Sequence, residues 1–144
     1  FGGLTANTYT GLTRVNAGSL ELAKPAGVVA VPGDLSIFGG SVKALADGQI
    51  APTANVTLAN ATSSLDLAGH PQTFASLSVT GNSTLTVGTT SAGAPPLRVT
   101  SGTLAVNTGG KLDLANNKLI VDYDPEHETY LVEPLRDVME ERRP

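Results

Sequence analysis

The sequence predicts an all-β chain wound as a parallel β-helix, a solenoid of about five coils. Three observations predict it: short apolar-polar-apolar triplets recur along the chain, equivalent triplets return after about 21 residues, and the stretches between them hold turn-forming residues. The 16 glycines in 144 residues and a charged fraction of only 15% exclude a charged helical bundle, while abundant Leu and Val exclude disorder. Asp47-Gly48 is the only Asn-Gly or Asp-Gly dipeptide, so the hairpins of a meander or sandwich are missing.

In chain order the triplets are Leu20-Glu21-Leu22, Leu35-Ser36-Ile37, Val42-Lys43-Ala44, Val56-Thr57-Leu58, Leu65-Asp66-Leu67 and Leu77-Ser78-Val79. Leu85-Thr86-Val87, Leu97-Arg98-Val99, Leu104-Ala105-Val106, Leu112-Asp113-Leu114 and Leu119-Ile120-Val121 complete the set. Each reads as a short strand with two side chains inward and one outward. Their first positions sort into two interleaved series. Leu35, Val56, Leu77 and Leu97 make up one, Leu20, Val42, Leu65, Leu85 and Leu104 the other, and within each the interval stays at about 20 residues. Each series is expected to form one inward column. A weaker third series, Val29, Ile50, Phe74 and Leu112, fills the rest of each coil, with the loop Ala92-Gly93-Ala94-Pro95-Pro96 standing where one member is missing.

The formal charge of −4 is placed unevenly. Positions 1–123 carry six Lys/Arg and six Asp/Glu, whereas positions 124–144 hold seven acids against three bases. A neutral body with an acidic end has no electrostatic footprint for nucleic acid or anionic lipid, so neither is expected as a partner. No stretch approaches the roughly 20 apolar residues of a membrane span, and no membrane insertion by this segment is expected. With no cysteine there is neither a disulfide framework nor a thiolate metal site. Phe1-Gly2-Gly3-Leu4 has neither an initiator Met nor a signal-peptide pattern, so the chain is expected to be a processed product or a piece of a longer protein.

The segment Asn7-Thr8-Tyr9-Thr10-Gly11-Leu12-Thr13-Arg14-Val15-Asn16-Ala17-Gly18-Ser19-Leu20-Glu21-Leu22 resembles the autotransporter-associated β-strand repeat, also called the passenger-associated transport repeat. Leu12 departs from a usual Gly and Ser19 from a usual Thr. Leu65 to Leu77 and Lys111 to Tyr123 are similar to the stretches downstream of that motif in such proteins, so the likeness spans most of residues 4–123. It implies a right-handed parallel β-helix in a secreted or surface-displayed bacterial protein, hence an extracellular or cell-surface location, and it implies no reaction. Nothing in the chain resembles the outer-membrane barrel of an autotransporter.

Chemistry-bearing residues are sparse, and no catalytic, cofactor-binding or metal-binding residue is assigned. His70 and His127 lack metal-ligand spacing. Asp66 and Asp113, like Lys43 and Arg98, fall in different series, so no charged column is expected and the chain is not read as an enzyme. Asn7, Asn16, Asn55, Asn60, Asn82, Asn107, Asn116 and Asn117 suit either a stacked amide ladder or left-handed turns, the turns being the stronger reading. The acceptor triplets at Asn55, Asn60 and Asn82 are read as chance matches in a Thr-rich chain. Outward Thr57, Ser78, Thr80, Thr84, Thr86, Thr100 and Thr103 offer hydroxyls to surface glycans or proteins, or simply suit exposed strands. The resulting expectation is a non-catalytic structural or adhesive segment, with a carbohydrate-active β-helix, polysaccharide-binding or -cleaving, as the alternative.

Two domains are expected: a β-helix over residues 1–123 and an acidic segment over 124–144. In the latter, Leu131, Leu135, Val138 and Met139 recur at helical spacing after Pro134 permits a first turn, predicting a short amphipathic helix that caps the solenoid or remains a tail. Open solenoid ends favour self-association. Phe1 to Thr5, without charge or proline, is expected to be continued by an upstream coil or to self-associate.

Overall fold

The period of the inward triplets is what winds the chain. The structure, a computed structural model, describes residues 1–89 and 97–122. These form a solenoid of about five turns with strands β1 (Thr13–Val15), β2 (Ser19–Leu22), β3 (Leu35–Ile37), β4 (Ser41–Ala44), β5 (Asn55–Leu58) and β6 (Ser64–Asp66). β7 (Gln72–Val79), β8 (Thr84–Thr86), β9 (Leu97–Val106), β10 (Lys111–Asp113) and β11 (Leu119–Val121) follow. Every strand pairing is parallel, as stacked coils require. One sheet has the order β1-β3-β5-β7-β9-β11 and the other β10-β8-β6-β4-β2. A third side is built from the Val31–Ile50 bridge, the first halves of β7 and β9, and β11. The acidic segment 124–144 and its expected helix lie outside the described residues.

Inward positions stack coil on coil. Leu20, Val42, Leu65, Leu85 and Leu112 form one column, and Leu35, Val56, Leu77 and Leu104 another. The expected columns therefore hold for their first members and fail at the last. Leu85 pairs with Leu112 instead of Leu104, Leu77 pairs with Leu104, and Leu97 stands on the third side beside Gln72 and Leu119. Leu112 accordingly leaves the third series. A longer coil is the reason. Extra residues between Val87 and Leu97, and again between Val99 and Thr103 where the register shifts opposite Phe74 to Ser76, leave each later triplet one face behind its expected place.

The core is aliphatic and dry. Leu35, Val56, Leu65, Leu77 and Leu85 are at most 1% exposed, with Phe74 the largest side chain among them. Where the chain turns before the second sheet, Gly18, Gly40, Ser63 and Ser83 occupy equivalent places, each carbonyl accepting an N–H from the next coil. Space decides their size. A Cβ on Gly40 would lie 2.6 Å from Val15 Cγ1, whereas Ser63 Oγ fits because it donates to Ala59 O (2.6 Å) and accepts from Gly39 N (2.8 Å). Asn60 and Asn82 have φ of 91° and 62°, the left-handed turn conformation expected of asparagine here.

An amide ladder does exist, but glutamine makes it. Gln49 Oε1 accepts from Lys24 N (2.9 Å), and Gln72 Oε1 accepts from Gln49 N (2.9 Å) while its Nε2 donates to Ala46 O (2.9 Å). Gln49 is fully buried, and its Nε2 also reaches Lys24 O at 3.2 Å. These side chains close a corner whose backbone groups have no strand partner.

Residues 1–12 lie along part of the first coil, while β1 and β2 remain the outermost strands of their sheets. Ala23 N donates to Phe1 O (2.8 Å), Asn7 N to Val29 O (3.0 Å) and Asn7 Nδ2 to Ala30 O (2.7 Å). Buried Lys24 donates through Nζ to Gly2 O (2.8 Å) and Thr5 O (2.7 Å). Beneath this segment Leu22, Ala30 and Val31 are fully buried, while Leu4 (84% exposed) and Leu12 (59%) face outward.

Replacing Leu77 by Asp puts a charge between Val56 and Leu104 in a dry column, and thermal or urea unfolding should register a loss of at least about 3 kcal/mol. Unfolding equal to that of the parent would refute the column assignment. Gln49→Leu keeps the volume but strips Lys24 N of its acceptor, which should cost about 1–3 kcal/mol in the same assay.

Candidate functional site

The stacking that builds the core also sorts the outward side chains into files about 4.8 Å apart. On the first sheet Arg14, Ser36, Thr57, Ser78 and Ala105 follow one another. Beside them Asn55 Nδ2 donates to Asp34 Oδ1 (3.1 Å), and Ser76 Oγ donates to Asn55 Oδ1 (2.6 Å). Asn55 is thus engaged with its neighbours above and below. On the far edge of this face the Arg14 guanidinium lies over the Phe38 ring, 5.3 Å from its centroid. The result is a flat face of small hydroxyl and amide groups.

The hydroxyls singled out in the sequence do not all share that face. Thr57 and Ser78 lie in its central file, Thr103 is register-paired with Ser76, and Thr80 adjoins the end of β7. Thr84 and Thr86 belong to the second sheet. Thr100 sits at the register shift, where its hydroxyl donates to Phe74 O (3.1 Å).

A charged file forms on the second sheet, contrary to the sequence expectation. Glu21, Lys43, Asp66, Thr86 and Asp113 are successive outward positions, with Lys43 Nζ 3.6 Å from Asp66 Oδ2. The longer coil that displaced Leu112 also carries Asp113 onto this face. The Lys43 and Asp66 side chains are 48% and 43% exposed, so their pairing adds little stability.

The third side carries an open groove of about 420 Å³, bounded by Gly27, Gly48, Pro52, Pro71, Thr73 and Arg98. It crosses successive coils, so it runs along the solenoid axis. Gly48 suits its place through its backbone, since φ is +62°, in the left-handed region that favours glycine. His70 Nδ1 lies 2.8 Å from Asp47 Oδ1, a pairing across neighbouring coils beside the Gly48 and Pro71 walls. At the other end Arg98 Nη2 and Nε contact Asp122 Oδ2 at 2.6 and 2.8 Å. Ile50 and Gln72 form a buried floor. Chemically, this is an apolar trough with one guanidinium in its wall, held by a carboxylate, and an imidazole–carboxylate pair on the residues next to its Gly48 and Pro71.

Among the described residues no three His, Cys, Asp or Glu side chains gather as metal ligands, and every buried side-chain nitrogen or oxygen has a hydrogen-bond partner. No described helix is long and apolar enough to cross a membrane. His127 lies outside the described residues. Sequence reasoning missed the His70–Asp47 pair, although the 23-residue separation of its members was a signal for it, being one coil.

No family model, no curated protein and no solved structure matches the chain.

Proposed function

We infer that this chain is a non-catalytic structural and adhesive segment of a secreted or surface-displayed bacterial β-helix protein. The single observation that carries this reading is the flat first-sheet face, where Ser36, Thr57 and Ser78 stack in one file beside Asp34, Asn55 and Ser76. Such a face presents directional hydrogen-bonding groups at one per coil, with few long side chains to order on contact. Glycans and other surface proteins, both rich in hydroxyls and amides, are the partners it fits. The resemblance of Asn7–Leu22 to the autotransporter-associated repeat supports the surface setting.

A carbohydrate-active β-helix is the second reading, favoured by the axial groove lined by Arg98 and by Gly48 and Pro71, the chain neighbours of the Asp47–His70 pair. An imidazole oriented by a carboxylate is a general-base arrangement, and His70 is the chain neighbour of Pro71, which lines the groove together with Arg98.

Binding of the purified chain to arrayed glycans and to intact cells separates the two. The adhesive reading expects retention that falls at least about tenfold when Thr57 and Ser78 are both changed to Lys, with melting only slightly lowered, because both positions face outward and the two register-paired ammonium groups repel each other modestly. Release of products from a polysaccharide, abolished by His70→Ala and untouched by the lysine pair, would overturn it in favour of the second reading.

A further inference from the structure

The first-sheet face changes character along its length. Thr57 and Ser78 stand in the file that Arg14 begins, and Ala59 and Thr80 take the place that Phe38 holds one coil earlier, since each of these three follows the last inward residue of its strand and donates its N–H to the coil before. The later coils are therefore small and neutral on this face. The first two coils are not: they bring together a guanidinium and an aromatic ring that is 47% exposed.

The guanidinium is held but not satisfied. Arg14 Nε donates to Asn16 Oδ1 at 2.8 Å, and its plane lies over Phe38 at 5.3 Å from the ring centroid. Its two Nη groups have neither a hydrogen-bond acceptor nor a carboxylate partner among the described residues. Asp34 is the one carboxylate of this face, and its Oδ1 accepts from Asn55 N (2.8 Å) and Asn55 Nδ2 (3.1 Å). Asp34 is thus tied to the coil above it. A guanidinium fixed through Nε and through a stacked ring keeps a planar edge of donors ready, and such an edge matches the two oxygens of a carboxylate.

We propose that Arg14 and Phe38 anchor an acidic glycan on this face, the Nη edge of Arg14 taking the carboxylate and the exposed part of the Phe38 ring taking the apolar side of the sugar that bears it. This rests on the adhesive reading and names its ligand class. Ala59, the equivalent residue in the next coil, puts only a methyl group beside the ring, so the sugar has room there. Ser36, register-paired with Arg14, offers a hydroxyl to the same sugar unit, and Thr57 and Ser78 offer theirs to the units that follow. Charge acts at one end of the file and hydroxyls along the rest. The lysine pair at 57 and 78 would stand about 10 and 14 Å from Arg14, beyond effective charge range at physiological salt, so it obstructs the file without replacing the anchor.

Binding of sialyllactose and of a hyaluronan oligosaccharide to the purified chain, each compared with its own methyl ester, tests this. Each acid should bind at least about tenfold more tightly than its ester, by a margin that narrows as salt is raised. Arg14→Gln should bring the acids down to the level of the esters, Arg14→Lys should recover only part of the margin because it lacks the planar fork, and Phe38→Ala should weaken acids and esters alike. Both side chains are exposed, so melting of each variant should stay close to that of the parent. Esters bound as tightly as acids, or acids bound undiminished by Arg14→Gln, would overturn the anchor, and loss of that binding in the lysine pair would then leave the adhesive face standing. A parent chain that retains neither these probes nor any arrayed glycan or cell would overturn both.

Discussion

Everything in this molecule depends on each coil returning to the same place one strand-spacing above the last. Parallel pairing satisfies the backbone only if equivalent residues come into register, and the register then decides which side chains share a column. The aliphatic core follows from this: Val42, Leu65 and Leu85 are buried because they stand on one another. The outward files of hydroxyl and charged groups follow from it as well. A single constraint thus links the period of the sequence to the surface that meets other molecules.

Corners are where that constraint is hardest to meet, because a turning chain cannot use the strand ladder for all its polar groups. Three solutions appear. Small residues such as Gly40 and Ser63 let backbones approach, asparagine at positive φ reverses direction at residues 60 and 82, and buried Gln49 and Gln72 supply the missing acceptors and donors. The groove lies at the third corner as well, lined by Pro52 and Pro71 with Gly27 and Gly48. Site and corner are therefore products of the same local departures from the ladder.

Much of this is legible in the sequence because inward positions alternate with a fixed period. The all-β class, the parallel stacking and the coil number follow from Leu20-Glu21-Leu22 and its successors. The last coils are not legible. A triplet such as Leu104-Ala105-Val106 states that two side chains point inward but not on which of three sides, and the extra residues before Leu97 shift that assignment without changing the triplet. The placement of Asp66 and Asp113 on one face escapes the sequence pattern for the same reason. The glutamine ladder escapes it because one buried amide per coil leaves no local pattern, although Gln49 and Gln72 lie one coil apart, each just after a glycine or proline. The Asn-Thr-Tyr-Thr-Gly stretch has a physical role in part: Asn7 bonds to the first coil through its backbone and side chain, and Tyr9 OH lies 2.6 Å from Thr13 Oγ1.

The register of the lengthened coil is the most direct point of test, because core, charged file and solenoid end all rest on it. In the cysteine-free chain, Thr86→Cys with Asp113→Cys places two thiols on register-paired outward positions of adjacent strands, within the usual Cα separation for a disulfide. This pair should oxidise readily and raise the melting temperature, while Thr86→Cys with Ala105→Cys stays reduced. Ready oxidation of the second pair, with the first remaining reduced, would contradict the register on which the whole solenoid is built.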